Sequence, residues 1–300
     1  MTPAASSKGT VQFGAYRTWY RVTGDLAWRR PTLVVMHGGP GATHDCMLPL
    51  AALAEDGWPV VHYDQLGNGG STHLPDQGAD FWTVELFERE LTNLVERLGI
   101  ADDYVLFGQS WGGMLGAVHA ARRPAGLKGL VIANSPVSMP DWLVELARLR
   151  KELDPATQEA LACHEAAGTT DTTEYFQAMK VFYDHFVCRV DWPPEFTATF
   201  LEIQNNPTVY YTMNGPSEFH VTGTLKDWSV AELLPRIAVP TLVVSGRHDE
   251  CTPDSVRPFQ ELIPDARWEI FENSSHVPQF EEPELLRSTL IDYLTTLGDS

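Results

Sequence analysis

Ser110 stands in Gly108-Gln109-Ser110-Trp111-Gly112, a G-x-S-x-G set between an apolar run at 104–108 and a segment with helical spacing. On such a strand-to-helix turn a serine presents its Oγ outward, and the flanking glycines let the backbone approach closely without Cβ clashes. A serine hydroxyl is a weak nucleophile. It needs a neutral imidazole to take its proton and a carboxylate to hold that imidazole's tautomer. Both follow along the chain: Asp249 in LVVSGRHDECTP and His276 in WEIFENSSHVPQF. Serine, acid, histidine is one of the chain orders in which catalytic triads occur. Ser110, Asp249 and His276 are therefore the expected catalytic residues. Among the other histidines, His37 is expected to support the loop that begins there, and His62, His185 and His220 to be core or cap groups.

Nucleophilic attack on a carbonyl creates an oxyanion, which needs preorganised N–H donors. MHGGPGATHD, at 36–45, follows the first apolar run, and its glycines let a backbone N–H face the site from the side opposite the nucleophile's neighbour. Gly39 and Trp111 are the expected donors. A phosphate loop is excluded, because the stretch lacks the lysine of G-x-x-x-x-G-K-[ST]. The ten histidines form no H-x-x-x-H or H-E-x-x-H, and the four cysteines form no C-x-x-C. That spacing points to no metal site and to free thiols in a reducing compartment. Triad chemistry requires no organic cofactor.

Short apolar runs rich in β-branched residues occur at 32–37, 59–64, 104–108, 127–134 and 240–246. Runs of that kind are expected of parallel strands buried on both faces. Helical spacing appears between them, at 84–98 and 114–123, and again at the end, at 282–297. The alternation predicts an α/β fold with a doubly wound, mostly parallel sheet. VQFG and YRTWYRVTG predict an antiparallel hairpin on its edge. From about Ser135 to about Leu234 the rhythm breaks into helical, aromatic segments: MPDWLVELARLRKEL, TEYFQAMKVFYDHFV and PPEFTATFLEIQN. The expected organisation is a core domain of residues 1–135 and 235–300 carrying an inserted helical cap at 136–234, an ordinary size for a small domain.

The net charge of −19 repels phosphate backbones and anionic membranes, so neither nucleic acid nor membrane is an expected partner. No run approaches eighteen apolar residues, and MTPAASSKGTVQFG has no apolar h-region. The expectation is a cytoplasmic enzyme.

Together, HGGPG, YDQLGNGGS, GQSWGG and GRHDE with SSHVP resemble the proline iminopeptidase family of α/β-hydrolase serine peptidases, which also includes amino-acid amidases. The resemblance covers nearly the whole chain. It implies an α/β-hydrolase fold with a cap, and a substrate read by its free α-amino group through two glutamates. By this resemblance they are Glu218, in the cap stretch YYTMNGPSEFH, and Glu250, next to Asp249. That stretch reads as a Gly-Pro turn between aromatic residues. A buried ammonium needs such paired counter-charge. Trp111, Phe81, Trp82, Tyr210, Tyr211 and Phe219 are the aromatic residues available to line an apolar slot. The expected activity is hydrolysis of an amide beside a free amino group, on a short peptide, proline first, or on an amino-acid amide or aminoacyl metabolite. A carboxylesterase or lactonase on the same scaffold, and a non-catalytic binding protein, are the alternatives.

Overall fold

The computed structural model describes residues 4–297. Its sheet has eight strands: β1 (Ser6–Phe13), β2 (Tyr16–Thr23), β3 (Thr32–Met36), β4 (Val60–Asp64), β5 (Tyr104–Gln109), β6 (Leu127–Ala133), β7 (Thr241–Gly246) and β8 (Ala266–Phe271). Their order is β1-β2-β4-β3-β5-β6-β7-β8. The pairs β1–β2 and β2–β4 are antiparallel, and every other pair is parallel. The hairpin expected at the edge is β1–β2.

The continuous apolar runs have a plain origin. Successive strand residues point to opposite faces, and here both faces are covered. Val34, Leu106, Ile132 and Val243 pack on one side, while Leu33, Val35, Phe107 and Val131 pack on the other. The first side is covered by helices α1 (Val84–Arg97) and α2 (Trp111–Ala121). The second is covered by the 3-10 segment His44–Asp56 and the last helix.

Five helices lie between β6 and β7: α3 (Met139–Arg150), α4 (Pro155–Ala167), α5 (Thr173–Phe186), α6 (Pro194–Asn205) and α7 (Thr208–Met213). Three of them match the helical segments expected there; α4 and α7 were not foreseen. The stretch at 210–220 is thus not all turn, since its first four residues end α7. A 3-10 turn at Ala231–Arg236, then α8 (Pro253–Leu262), α9 (Pro278–Glu281) and α10 (Pro283–Leu297) complete the described residues. No helix among the described residues is long and apolar enough to cross a membrane.

Strand order reverses between β3 and β5: β3 leads outward to β4 and β5 outward to β6. Ligands of open α/β sheets bind beyond the carboxyl ends of strands at such a switch point. The loop after β3 and the serine after β5 meet there. Close packing of the turn is what demands glycine: a Cβ at Gly108 would strike the Gly112 carbonyl, and one at Gly112 would strike the Met36 carbonyl.

Candidate active site

Ser110, between β5 and α2, has φ 55 and ψ −123. Non-glycine residues rarely adopt such a backbone, and it persists only where the surroundings fix it. Here the Ser110 N–H donates to the Ala133 carbonyl at 2.9 Å. Its own carbonyl accepts from Ser135 Oγ at 2.8 Å and from the Gly113 N–H at 2.9 Å.

Asp249 and His276 arrive on the loops after β7 and β8. Asp249 Oδ1 accepts from the Cys251 N–H at 2.8 Å and lies 2.8 Å from His276 Nδ1. The His276 loop is held by Ser275, whose N–H and Oγ both donate to Glu281 at 2.6 Å. Burial lowers the His276 pKa, but the Asp249 charge, its hydrogen bond and the Glu218 charge outweigh it and leave the imidazole raised above 6.5. Among the described residues no hydrogen bond joins Ser110 Oγ to His276; that joint of a triad commonly tightens only when substrate binds. Asp249, Cys251 and His276 bring potential metal-ligating atoms within 4.8 Å of one another. The carboxylate–imidazole contact already engages two of those groups.

Glu250 is fixed through its backbone. Its N–H donates to the Phe186 carbonyl at the end of α5, and its carbonyl accepts from Trp142 Nε1, both at 3.0 Å. Its side chain is nearly bare of partners: Oε1 lies 3.8 Å from His276 Nε2, and Oε2 is buried without a hydrogen-bond partner among the described residues. Burial, then the charges of Glu218 and Asp249, push this carboxyl well above the usual carboxylate range. Glu218 accepts a 2.5 Å hydrogen bond from the Tyr210 hydroxyl. Burial raises it too, against the lowering effects of Tyr210 and His276.

One cavity collects these groups. Gly38, Gly39, Ser110, Glu218, Glu250 and His276 all line it. Asp249 stands behind His276, outside the lining, and Trp111 is beside the cavity as the first residue of α2. The expected slot is only partly right. Tyr210 and Tyr211 line the cavity, whereas Phe81, Trp82, Trp111 and Phe219 do not. Trp82 stacks on Phe87, with Phe81 edge-on to it. Phe219 packs behind the wall on Phe182. The Trp111 indole donates to Gln65 Oε1 at 2.8 Å. Their places are taken by Phe176, Met179 and Tyr183 of α5 and Phe196, Phe200 and Ile203 of α6.

Three supporting residues escaped the sequence reading. Gln65 donates from Nε2 to the His37 carbonyl at 3.2 Å and from its backbone N–H to His37 Nε2 at 3.0 Å. His37 therefore supports its loop as expected. Asp64 accepts from the His44 N–H and the Gly70 N–H, at 2.9 and 2.8 Å. Asn134 donates to Asp249 Oδ2 at 2.7 Å. The first two were in sight within YDQLGNGGS; Asn134 was marked only as a polar residue ending an apolar run.

Residues 31–283 match the family model for the alpha/beta hydrolase fold. The chain is an α/β-hydrolase. Within that fold it belongs to the proline iminopeptidase family. It is 36% identical over 267 residues to the proline iminopeptidase of Heyndrickxia coagulans, covering 89% of each chain. The crystal structure of VinJ superposes with a TM-score of 0.96 at 67% identity, covering 98% of this chain and 99% of the other. The proline iminopeptidase structure from Mycobacterium smegmatis gives 0.90 at 47% identity, covering 97% and 99%.

The glutamates of this α/β-hydrolase generate a stability prediction. A carboxyl raised in the folded state binds more protons there than in the unfolded chain, so its contribution to stability is full below about 4.5 and lost as pH rises through the folded value. Glu250→Gln removes that loss. The variant's Tm is expected to exceed that of the wild type by several degrees at pH 8, each kcal/mol being worth roughly 2–4 °C, with the gap closing near pH 5. Calorimetric scans across that range check it; a wild type that keeps pace with the variant up to pH 9 contradicts it.

Proposed function

We propose that this α/β-hydrolase is a serine hydrolase that cleaves an amide bond next to a free α-amino group. One observation carries the reading: Glu218 and Glu250 line the same cavity as Ser110 and His276, and none of the described residues lining it is a lysine or arginine. Two buried carboxylates in one cavity repel and lose solvation. A substrate ammonium removes both penalties at once. It also fixes the carbonyl one carbon away from the amine beside Ser110.

The chemistry then follows the groups in reach. Ser110 Oγ attacks the carbonyl carbon as His276 Nε2 takes its proton, and Asp249 stabilises the resulting imidazolium through Nδ1. The backbone N–H groups of Gly39 and Trp111 receive the oxyanion; neither donates to a backbone carbonyl outside regular elements among the described residues. Collapse breaks the C–N bond, with His276 returning its proton to the leaving amine. Water, activated by the same imidazole, cleaves the seryl ester and regenerates Ser110.

In this reading residues 136–234 act as a cap on a core of 1–135 and 235–300. Helices α5, α6 and α7 supply the apolar wall, and the turn after α7 supplies Glu218. The missing cation bears on the leaving group as well. The C-terminal carboxylate of a dipeptide would find no lysine or arginine among the described residues lining the cavity. That favours an aminoacyl amide of an uncharged amine, or a peptide long enough to place its carboxylate outside. A cytoplasmic location fits the four free cysteines.

Ser110→Ala is expected to lower kcat by about 10⁴ to 10⁶ while leaving Tm and far-UV circular dichroism unchanged. Retention of a tenth of the activity would refute Ser110 as nucleophile. The specificity claim is tested on one aminoacyl-naphthylamide, free and N-acetylated. Acetylation leaves the two carboxylates without a cation, and breaking such a buried pair costs about 3–5 kcal/mol, roughly 10² to 10⁴ in kcat/KM. Glu218→Gln or Glu250→Gln should cost the free amine a comparable factor and barely change a small neutral ester. Equal rates on both naphthylamides, with both variants near wild type, would favour an esterase.

A further inference from the structure

Asn134 follows β6 with φ 51 and is fully buried. Its backbone N–H donates to the Val244 carbonyl at 2.8 Å. Its Nδ2 donates twice, to Asp249 Oδ2 at 2.7 Å and to the Ser275 carbonyl at 2.9 Å. Both partners only accept, which fixes the orientation of the amide. The remaining amide atom, Oδ1, is buried without a hydrogen-bond partner among the described residues. A buried acceptor left unpaired is a standing cost, and a glycine would adopt the same backbone without it.

What the amide accomplishes lies in the loops it joins. Asp249 Oδ1 is engaged by Cys251 and His276, and Oδ2 by Asn134. Ser275 is the residue immediately before His276. One NH₂ group therefore ties the acid's loop after β7 to the base's loop after β8. We propose that Asn134 is a positioning residue for the acid–base pair, holding the Asp249 carboxylate and the Ser275 peptide so that Oδ1 meets His276 Nδ1. This rests on the reading of Asp249 and His276 as acid and base. It carries an electrostatic consequence. A hydrogen bond donated to Oδ2 draws charge away from the imidazole, so its loss leaves the imidazolium better stabilised. The charged groups that face His276 are Asp249, Glu250, Glu218 and Glu281. Of these, only Asp249 is hydrogen-bonded to Asn134.

Two variants separate the amide from the backbone. Asn134→Gly keeps the left-handed conformation and removes the amide; Asn134→Ala removes the amide and strains the backbone. Each is assayed from pH 5 to 9 on the free-amine naphthylamide and on a small neutral ester, alongside Tm. Both variants are expected to fold and to lose roughly 10- to 100-fold in kcat on both substrates, with KM little changed. The acid limb of kcat/KM, expected above 6.5 in the wild type, should move upward by about half a unit. A glycine variant with wild-type kinetics beside an impaired alanine variant would show that the side chain serves only the backbone. A loss of kcat with an unmoved acid limb, or a glycine variant that does not fold, would show that Asn134 holds the fold rather than the acid. Each of these results overturns the proposal. A wild-type enzyme inert toward both substrates would overturn it together with the reading beneath it, and is distinguishable because it precedes any substitution.

Discussion

Three carboxylates act on one imidazole: Asp249 bonds His276 directly, and Glu218 and Glu250 share its cavity, where none of the described lining residues is a lysine or arginine. Each carboxylate has a different solution. Asp249 is hydrogen-bonded through both oxygens, Glu218 is partnered by a tyrosine hydroxyl, and Glu250 has one oxygen with no partner among the described residues. Isolated buried charge of this kind is strongly unfavourable unless it is paired or neutralised. The buried carboxylates are therefore an electrostatic deficit, which in the proposed reading a substrate cation relieves. Retaining it costs stability, which is the usual relation between stability and function at binding sites.

Holding that deficit in place requires both halves of the molecule. The carbonyls of Phe186 and Val187, at the end of α5, accept from the N–H groups of Glu250 and His276. The end of α5 thus pins the loops that follow β7 and β8. Tyr210 of α7 orients Glu218 from the same side. Beneath the cavity, Gln65 links the Trp111 indole to His37, so the serine turn and the glycine loop after β3 share one polar network. Movement of α5 relative to the sheet would disturb Glu250 and His276 together.

Much of this was legible in the sequence, for local reasons. A strand buried on both faces must be apolar throughout, and a strand-to-helix turn packed against neighbouring carbonyls must carry glycine, so the sheet and Ser110 could be read from short windows. Asp249 and His276 followed because each ends or follows a strand. The aromatic wall was not legible. Which ring of an aromatic-rich helix turns inward depends on packing partners far along the chain: Phe219 faces Phe182 rather than the cavity, while Phe176 and Phe200 face inward. Asn134 was out of reach because its meaning lies in contacts to residues more than a hundred positions away. Glu218 came only from family resemblance, since nothing in its spacing distinguishes it from a surface carboxylate.

In the proposed reading the buried glutamates share a proton until a substrate ammonium takes their site over. Burial raises both carboxyls and the Glu218 charge raises Glu250 further, so in this reading they share a proton that an ammonium should expel. The direct measurement is calorimetric binding of an uncleaved free-amine substrate to Ser110→Ala at pH 7, repeated in buffers of different ionisation enthalpy. The predicted result is release of up to about one proton per ligand bound, absent for the N-acetylated ligand and abolished by Glu250→Gln. Binding of free and acetylated ligands with the same affinity and no proton exchange in either case would contradict it.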